Sequence, residues 1–350
     1  MNSSLPLQQR IRLAHHIRAS KHGLATEINE EFFRRHPDWK DRYGERGVRL
    51  GFEDACFHLD FLTSALEVGK VSSFVEYIVW ARRMLEARAI AAVFLVENIR
   101  QVGSAVSSLL DQLERRYVAD FIDAASLACD CALPPIDSPE PTVNMFVQAL
   151  LAGNRTAALN MTKNLVSQGK SVADVYLNVL QPSMYEIGHL WETNQIMVAR
   201  EHMATAITQY VMGQLFPLLS ESSSARRGIA IVVGVQGEFH QLGALMVSDV
   251  LEADGWQVRF LGSNMPHSGI MDALQQEEAS LLCISTTILF NIPKALELIR
   301  AVRNAFPRVR IVVGGAAFKS ADRLWKEVHA DGFAPDLVGA LSVARQLWEG

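Results

Sequence analysis

The last third of the chain alternates short apolar, β-branched runs with amphipathic stretches, and few folds accommodate that rhythm. The runs cover 229–233, 258–261, 281–285 and 309–313, with a weaker one near Gly332. Between them, 242–253 and 292–305 carry apolar residues at helical spacing. This alternation predicts a parallel sheet with helices on both faces. In such sheets ligands bind outside the carboxyl ends of the strands, at a topological switch point.

One candidate site sits at that edge. The first run leads into Gly237-Glu238-Phe239-His240-Gln241-Leu242-Gly243. A carboxylate two residues before a lone imidazole can fix its tautomer and raise its basicity, which suits a metal ligand. A glycine three residues later lets the backbone approach something large. Ser285-Thr286-Thr287 after the third run and Gly314-Gly315 after the fourth fall on the same edge. In isolation, those hydroxyls read as strand-end caps and those glycines as a turn.

The segment from Thr142 to Leu219 reads as a small helical bundle. Val143, Phe146, Val147 and Leu150 recur at helical spacing, as do Ala204, Ile207, Val211 and Leu215. Within it Trp191 is followed, after nine residues, by Glu201-His202. In this pairing of motifs the chain resembles the cobalamin-binding photoreceptors. Their B12 module has a helical cap with Trp, nine residues and Glu-His, then a flavodoxin-like domain with Glu-x-His-x-x-Gly. The resemblance covers roughly 141–350. It implies a four-helix-bundle B12 cap over 141–219 and a flavodoxin-like, doubly wound parallel sheet over 228–350. It also implies that His240 is the lower axial ligand of cobalt, with Glu238 as its neighbouring carboxylate. Ser285, Thr287, Gly314 and Gly315 match positions along the slot that takes the nucleotide tail, and Gly243 completes the histidine loop. Trp191 and Glu201 would face the adenosyl side, while His202 could hydrogen-bond the corrin periphery or be a core histidine. One position departs from the pattern. The light-responsive members place a histidine directly after the tryptophan, and here that residue is Glu192, with His189 two residues before Trp191.

Bulk properties narrow the function classes. A net charge of −5 and a pI near 6.1 argue against a nucleic-acid surface. No apolar run approaches the roughly 20 residues of a membrane span, and Met1-Asn2-Ser3-Ser4-Leu5-Pro6 lacks the basic and apolar regions of a signal peptide. Cys129 and Cys131 are too close for a zinc knuckle and have no second pair. Together with Cys56 and Cys283 they read as reduced thiols of a cytoplasmic protein.

Two breaks divide the chain: the proline-rich 132–141 and the polar, serine-rich 220–227. Residues 1–130 carry helical periodicity over 27–33, 51–66, 73–87 and 91–113, with His36-Pro37-Asp38-Trp39 as a breaker and no helix-turn-helix signature. A helical domain placed before a B12 module resembles the photocobilins, which pair a globin-like bilin-binding domain with a cobalamin domain. That resemblance implies an all-helical, globin-like sensor domain holding biliverdin. His58, in an apolar helix, could stand near the pyrrole nitrogens, or be a satisfied core histidine or a haem ligand. Tyr43-Gly44-Glu45-Arg46-Gly47-Val48-Arg49 and Trp80-Ala81-Arg82-Arg83 could supply cations, or be a solvated face.

The expectation is a non-enzymatic, homo-oligomeric light sensor that binds adenosylcobalamin, with biliverdin as second chromophore. It would signal to a regulatory partner and make no contact with DNA or membrane. Two alternatives stand beside it. One is a corrinoid shuttle protein of a methyltransferase system. The other is a B12- or haem-linked regulator that works without light.

Overall fold

The computed structural model of the chain describes residues 5–219, 227–321 and 323–349. The serine-rich break, apart from Arg227, lies outside the described residues. Two compact units emerge, Met1–Pro134 and Pro135–Gly350. No helix among the described residues is long and apolar enough to cross a membrane.

The first unit is all-helical: α1 (Leu7–Ala19), α2 (Lys21–Arg35), α3 (Pro37–Val68), α4 (Val71–Glu86), α5 (Ala92–Ser107) and α6 (Gln112–Asp130). His36-Pro37 does break a helix, but Pro37 then opens α3, where its missing N–H costs nothing. Gly44, at φ +58°, kinks α3, and Gly69, at φ +79°, ends it in the left-handed conformation. The run over 91–113 is not one helix. Asp111 accepts from the backbone N–H of Leu113 and Glu114, while Glu114 accepts from the Asp111 N–H. This capping box starts α6 afresh and overrides the apolar periodicity.

The second unit begins with a four-helix cap. Its helices are α7 (Pro141–Leu151), α8 (Arg155–Ser167), a third formed by α9 (Val172–Val175), a π-helical turn (Tyr176–Leu180) and α10 (Gln181–Glu192), and α11 (Val198–Leu215). Every apolar position singled out on α7 and α11 is buried in one core.

The sheet follows, with strands β1 (Ile229–Val235), β2 (Gln257–Met265), β3 (Leu281–Ser285), β4 (Arg310–Gly314) and β5 (Gly332–Ala334). Helices α12 (Leu242–Ala253), α13 (His267–Glu277), α14 (Ile292–Ala305), the short α15 (Ala316–Ser320) and α16 (Leu324–Glu327), and α17 (Leu337–Glu349) alternate with them. The order is β2-β1-β3-β4-β5 and every pairing is parallel. This is the flavodoxin-like winding, and its direction reverses between β1 and β3.

Cap and sheet share a core. Met246 and Val250 of α12 and Leu337 of α17 pack into the cluster that holds α7 and α11 together. Tyr176, fully buried at the π-helical turn, donates its hydroxyl to Asp249 Oδ2 at 2.8 Å. Burial raises the Asp249 carboxyl to about 6. The folded chain therefore holds this proton more tightly than the unfolded chain, whose carboxyl titrates near 3.8. The resulting stability is complete below that value and is lost as pH rises through about 6. Asp249→Asn keeps an acceptor for Tyr176 without the charge. It is expected to raise unfolding free energy near pH 8 by about 1–3 kcal/mol and to change little near pH 4. Urea midpoints at the two pH values check this, and an equal shift at both would remove the charge from the account.

Candidate cobalamin site

The loop after β1 runs to the switch point. Gly237 turns it at φ +86°, and a Cβ there would stand 2.5 Å from Lys294 Nζ and 2.9 Å from Asn291 Oδ1. Asn264 accepts from the Gly237 N–H at 2.8 Å, and Asn291 Nδ2 donates to the Gly237 carbonyl at 3.1 Å.

That turn drives Glu238 into the protein between the ends of β1 and β3, where its side chain is fully buried. Its Oε1 accepts from the backbone N–H of His240 at 3.0 Å and from His240 Nδ1 at 2.6 Å. Its Oε2 accepts from the N–H of Thr287 at 2.8 Å, the N–H of Ile288 at 3.1 Å and Asn291 Nδ2 at 3.2 Å. Five donors converge on one carboxylate. Burial alone would push its pKa up. The His240 side chain and the backbone N–H groups of His240 and Ile288 outweigh burial and hold it below the usual range. The carboxylate has no proton to give, so Nδ1 carries the shared one. In the neutral imidazole Nε2 then keeps its lone pair, on a side chain that is 58% exposed.

His240 is raised in turn. The hydrogen bond to Glu238 contributes most, burial opposes it, and the charges of Glu238 and Glu201 add to the rise. Glu201 therefore acts on the imidazole from the cap, where it stands in the first turn of α11. Its Oε1 accepts from Thr205 Oγ1 at 3.1 Å, and its Oε2 pairs with His202 Nδ1. His202 itself points to solvent, 77% exposed. Trp191 is half-buried near the end of α10. Glu192, the residue that departs from the photoreceptor pattern, is buried, with His189 Nδ1 3.6 Å from its Oε2.

The remaining positions flank the loop. Ser285 ends β3, in register with Gly234 on one side and Gly314 on the other. Thr287 contributes its backbone N–H to Glu238. Gly314 pairs with Ala334, and Gly315, at φ +92°, packs its Cα against the Thr286 backbone. Gly243, in the first turn of α12, faces open space, as does Gly262 on β2.

Sequence reasoning passed over Asn291 and Asn264, and named Thr286 only as part of the strand-end run. Asn291 stands two residues before Pro293, a helix-start signal, yet its amide serves Glu238 and Gly237 rather than α14. The Thr286 hydroxyl is buried without a hydrogen-bond partner, between the two hydroxyls that were singled out.

In the N-terminal unit His58 is a core residue. Its Nδ1 lies 2.7 Å from the Tyr77 hydroxyl, and burial lowers its pKa to about 4. Tyr77 in turn stacks on Phe61 at 3.7 Å. Arg82 and Arg83 donate to the carbonyls of Cys131 and Pro134.

Among the described residues no three His, Cys, Asp or Glu side chains converge on a point where a bare ion could sit. Comparisons with known proteins bear on what the loop holds. Residues 142–215 and 228–342 each match a family profile described as a B12 binding domain. Dimethylamine corrinoid protein 1 of Methanosarcina mazei is 23% identical over 217 residues, covering 61% of this chain and 99% of that protein. The dimethylamine corrinoid protein of Methanosarcina barkeri is 27% identical over 173 residues, covering 48% of this chain and 79% of its own. The fold resembles that of the monomethylamine corrinoid protein of Methanosarcina barkeri, with a TM-score of 0.53 at 21% identity, covering 59% of this chain and 98% of that one. The second unit of this chain is thus a cobalamin-binding module, made of a helical B12 cap and a parallel α/β B12 domain.

Proposed function

We propose that this chain is a corrinoid carrier that holds cobalamin through His240 and presents it to a methyl-transferring partner. The observation that carries the ligand assignment is the five-fold hydrogen-bonded Glu238, which fixes the imidazole with Nε2 outward. The carrier role is supported by the corrinoid relatives, one of which is covered over almost its whole length. The residues fit the cofactor. Nε2 is free to coordinate, Gly243 and Gly262 leave room where a Cβ would intrude, and the buried Thr286 hydroxyl offers an unspent donor. When bound, cobalamin would be held by His240 and would supply a cobalt able to accept and release an alkyl group. Glu238 retains the Nδ1 proton and so sets the basicity of Nε2. Ser285, Thr287, Gly314 and Gly315 would line the slot for the tail. On this reading the chain is a carrier and leaves catalysis to its partner.

A second reading, the light sensor, is favoured by a different observation. The B12 matches begin at residue 142 and leave a complete helical unit outside them. The cap also carries Trp191 and the Glu201-His202 pair, with Glu201 bearing on His240. On this reading the upper ligand is adenosyl, Trp191 and Glu201 hold it, and the helical unit takes biliverdin.

One series of measurements separates the two. A carrier is expected to bind methylcobalamin and adenosylcobalamin with similar affinity, and Trp191→Ala is expected to weaken both alike. A sensor is expected to prefer adenosylcobalamin, to lose about tenfold of that preference in Trp191→Ala, and to change assembly after green light. Expression with a haem oxygenase adds a third arm. A far-red band that disappears when residues 1–134 are removed would support the sensor.

A further inference from the structure

The edge of the sheet remote from His240 carries a cavity of about 160 Å3. Five-residue strands separate the two edges by roughly 16 Å, so this cavity is outside the cobalamin loop. Trp256, just ahead of β2, and Trp348, near the end of α17, form one wall in edge-to-face contact at 5.3 Å. Ser280, Arg308 and Arg310, at the starts of β3 and β4, form the other.

The wall is closely built. A Cβ on Gly228 would stand 2.3 Å from Ser280 Oγ and 2.7 Å from the Trp348 ring. The chemistry of the lining is one-sided: two guanidinium groups and no carboxylate. Asp331 lies 3.7 Å from Arg310 Nη1, but its closer partners are Arg303 and the Ile311 N–H. Ser280 donates its hydroxyl to the Ile229 carbonyl. Trp256 is 4% exposed, and its indole Nε1 is buried with no hydrogen-bond partner. Buried donors are rarely left in that state, and an indole N–H can only donate. Arginine forks match carboxylate and phosphate geometry in the same way.

We propose that this pocket binds a small oxyanion, the carboxylate or phosphate group of a small molecule. Arg308 and Arg310 supply charge, Trp256 supplies an N–H, and the paired indoles face the body of the ligand.

Calorimetric titration of the full chain without cobalamin tests the site, using inorganic phosphate and acetate separately at constant ionic strength. At least one is expected to bind saturably, in the ~1 mM range. The double variant Arg308→Ala/Arg310→Gln is expected to weaken that binding by about tenfold or more, both side chains being exposed and away from the core. Trp256→Phe keeps an aromatic ring but removes the N–H donor with the rest of the indole, and is expected to weaken binding about three- to tenfold. His240→Ala is expected to leave it unchanged. Tighter phosphate assigns a phosphorylated ligand, and tighter acetate a carboxylated one. Absence of saturable binding by both, or native-like binding by the arginine double variant, would overturn the site.

Discussion

His240→Ala is expected to abolish the histidine-ligated visible spectrum of bound cobalamin. The affinity loss should exceed the ~10–100-fold that removal of an outer-shell partner costs a metal site. Glu238→Gln is expected to fall within that lower range. The amide can still accept from Thr287 and Ile288, but it no longer offers a negative charge to Nδ1. The order of the two losses is the diagnostic. A spectrum and affinity in His240→Ala that match the native protein would take the histidine out of the site. Equal losses in both variants would mean that Glu238 matters for the loop's fold rather than for the imidazole. Far-ultraviolet circular dichroism and an unfolding curve on each variant separate those cases.

Gly315→Ala is expected to destabilise the second unit by about 2–5 kcal/mol. Its φ of +92° is one that L side chains rarely adopt. The added Cβ would also stand 2.3 Å from the Thr286 carbonyl oxygen, 2.7 Å from its carbon and 2.9 Å from its nitrogen. Backbone cannot swing aside as a side chain can, so β3 and β4 would have to part at the switch-point edge. Gly243→Ala provides the contrast, because nothing stands within 4 Å of its Cβ. There, stability is expected to hold within about 0.5 kcal/mol, while cobalamin affinity falls if the cofactor needs that space. Denaturant midpoints for the two variants check this, and a Gly315→Ala midpoint equal to the native one would refute the packing argument.

Much of the fold was legible because its signals are local and periodic. The apolar runs became strands of a parallel sheet, and the heptad-like positions of α7 and α11 became one core. The error over 91–113 came from trusting apolar period alone, when Asp111 and Glu114 spelled out a helix start. At the site, Glu238 and His240 were legible because they are two residues apart. Asn291 was not, because it reaches the loop from the far side of β3, some fifty residues along the chain. Sequence spacing carries no information about which strand ends stand side by side until the winding order is known. His58 shows the converse limit. A histidine on an apolar helix face looks the same in sequence whether it meets a ligand or a tyrosine hydroxyl.

The joint core of cap and sheet has a thermodynamic meaning. Met246, Val250 and Leu337 give the cap part of its interior, and Tyr176 is anchored through Asp249 to α12. Swinging the cap away as a rigid flap would expose those apolar groups and orphan the Tyr176 hydroxyl together. The two B12 domains should therefore melt in one cooperative transition. The turn between α10 and α11 carries exposed apolar side chains instead. There Asn194 adopts φ +58°, and Met197 and Val198 stand exposed, outside that common interior.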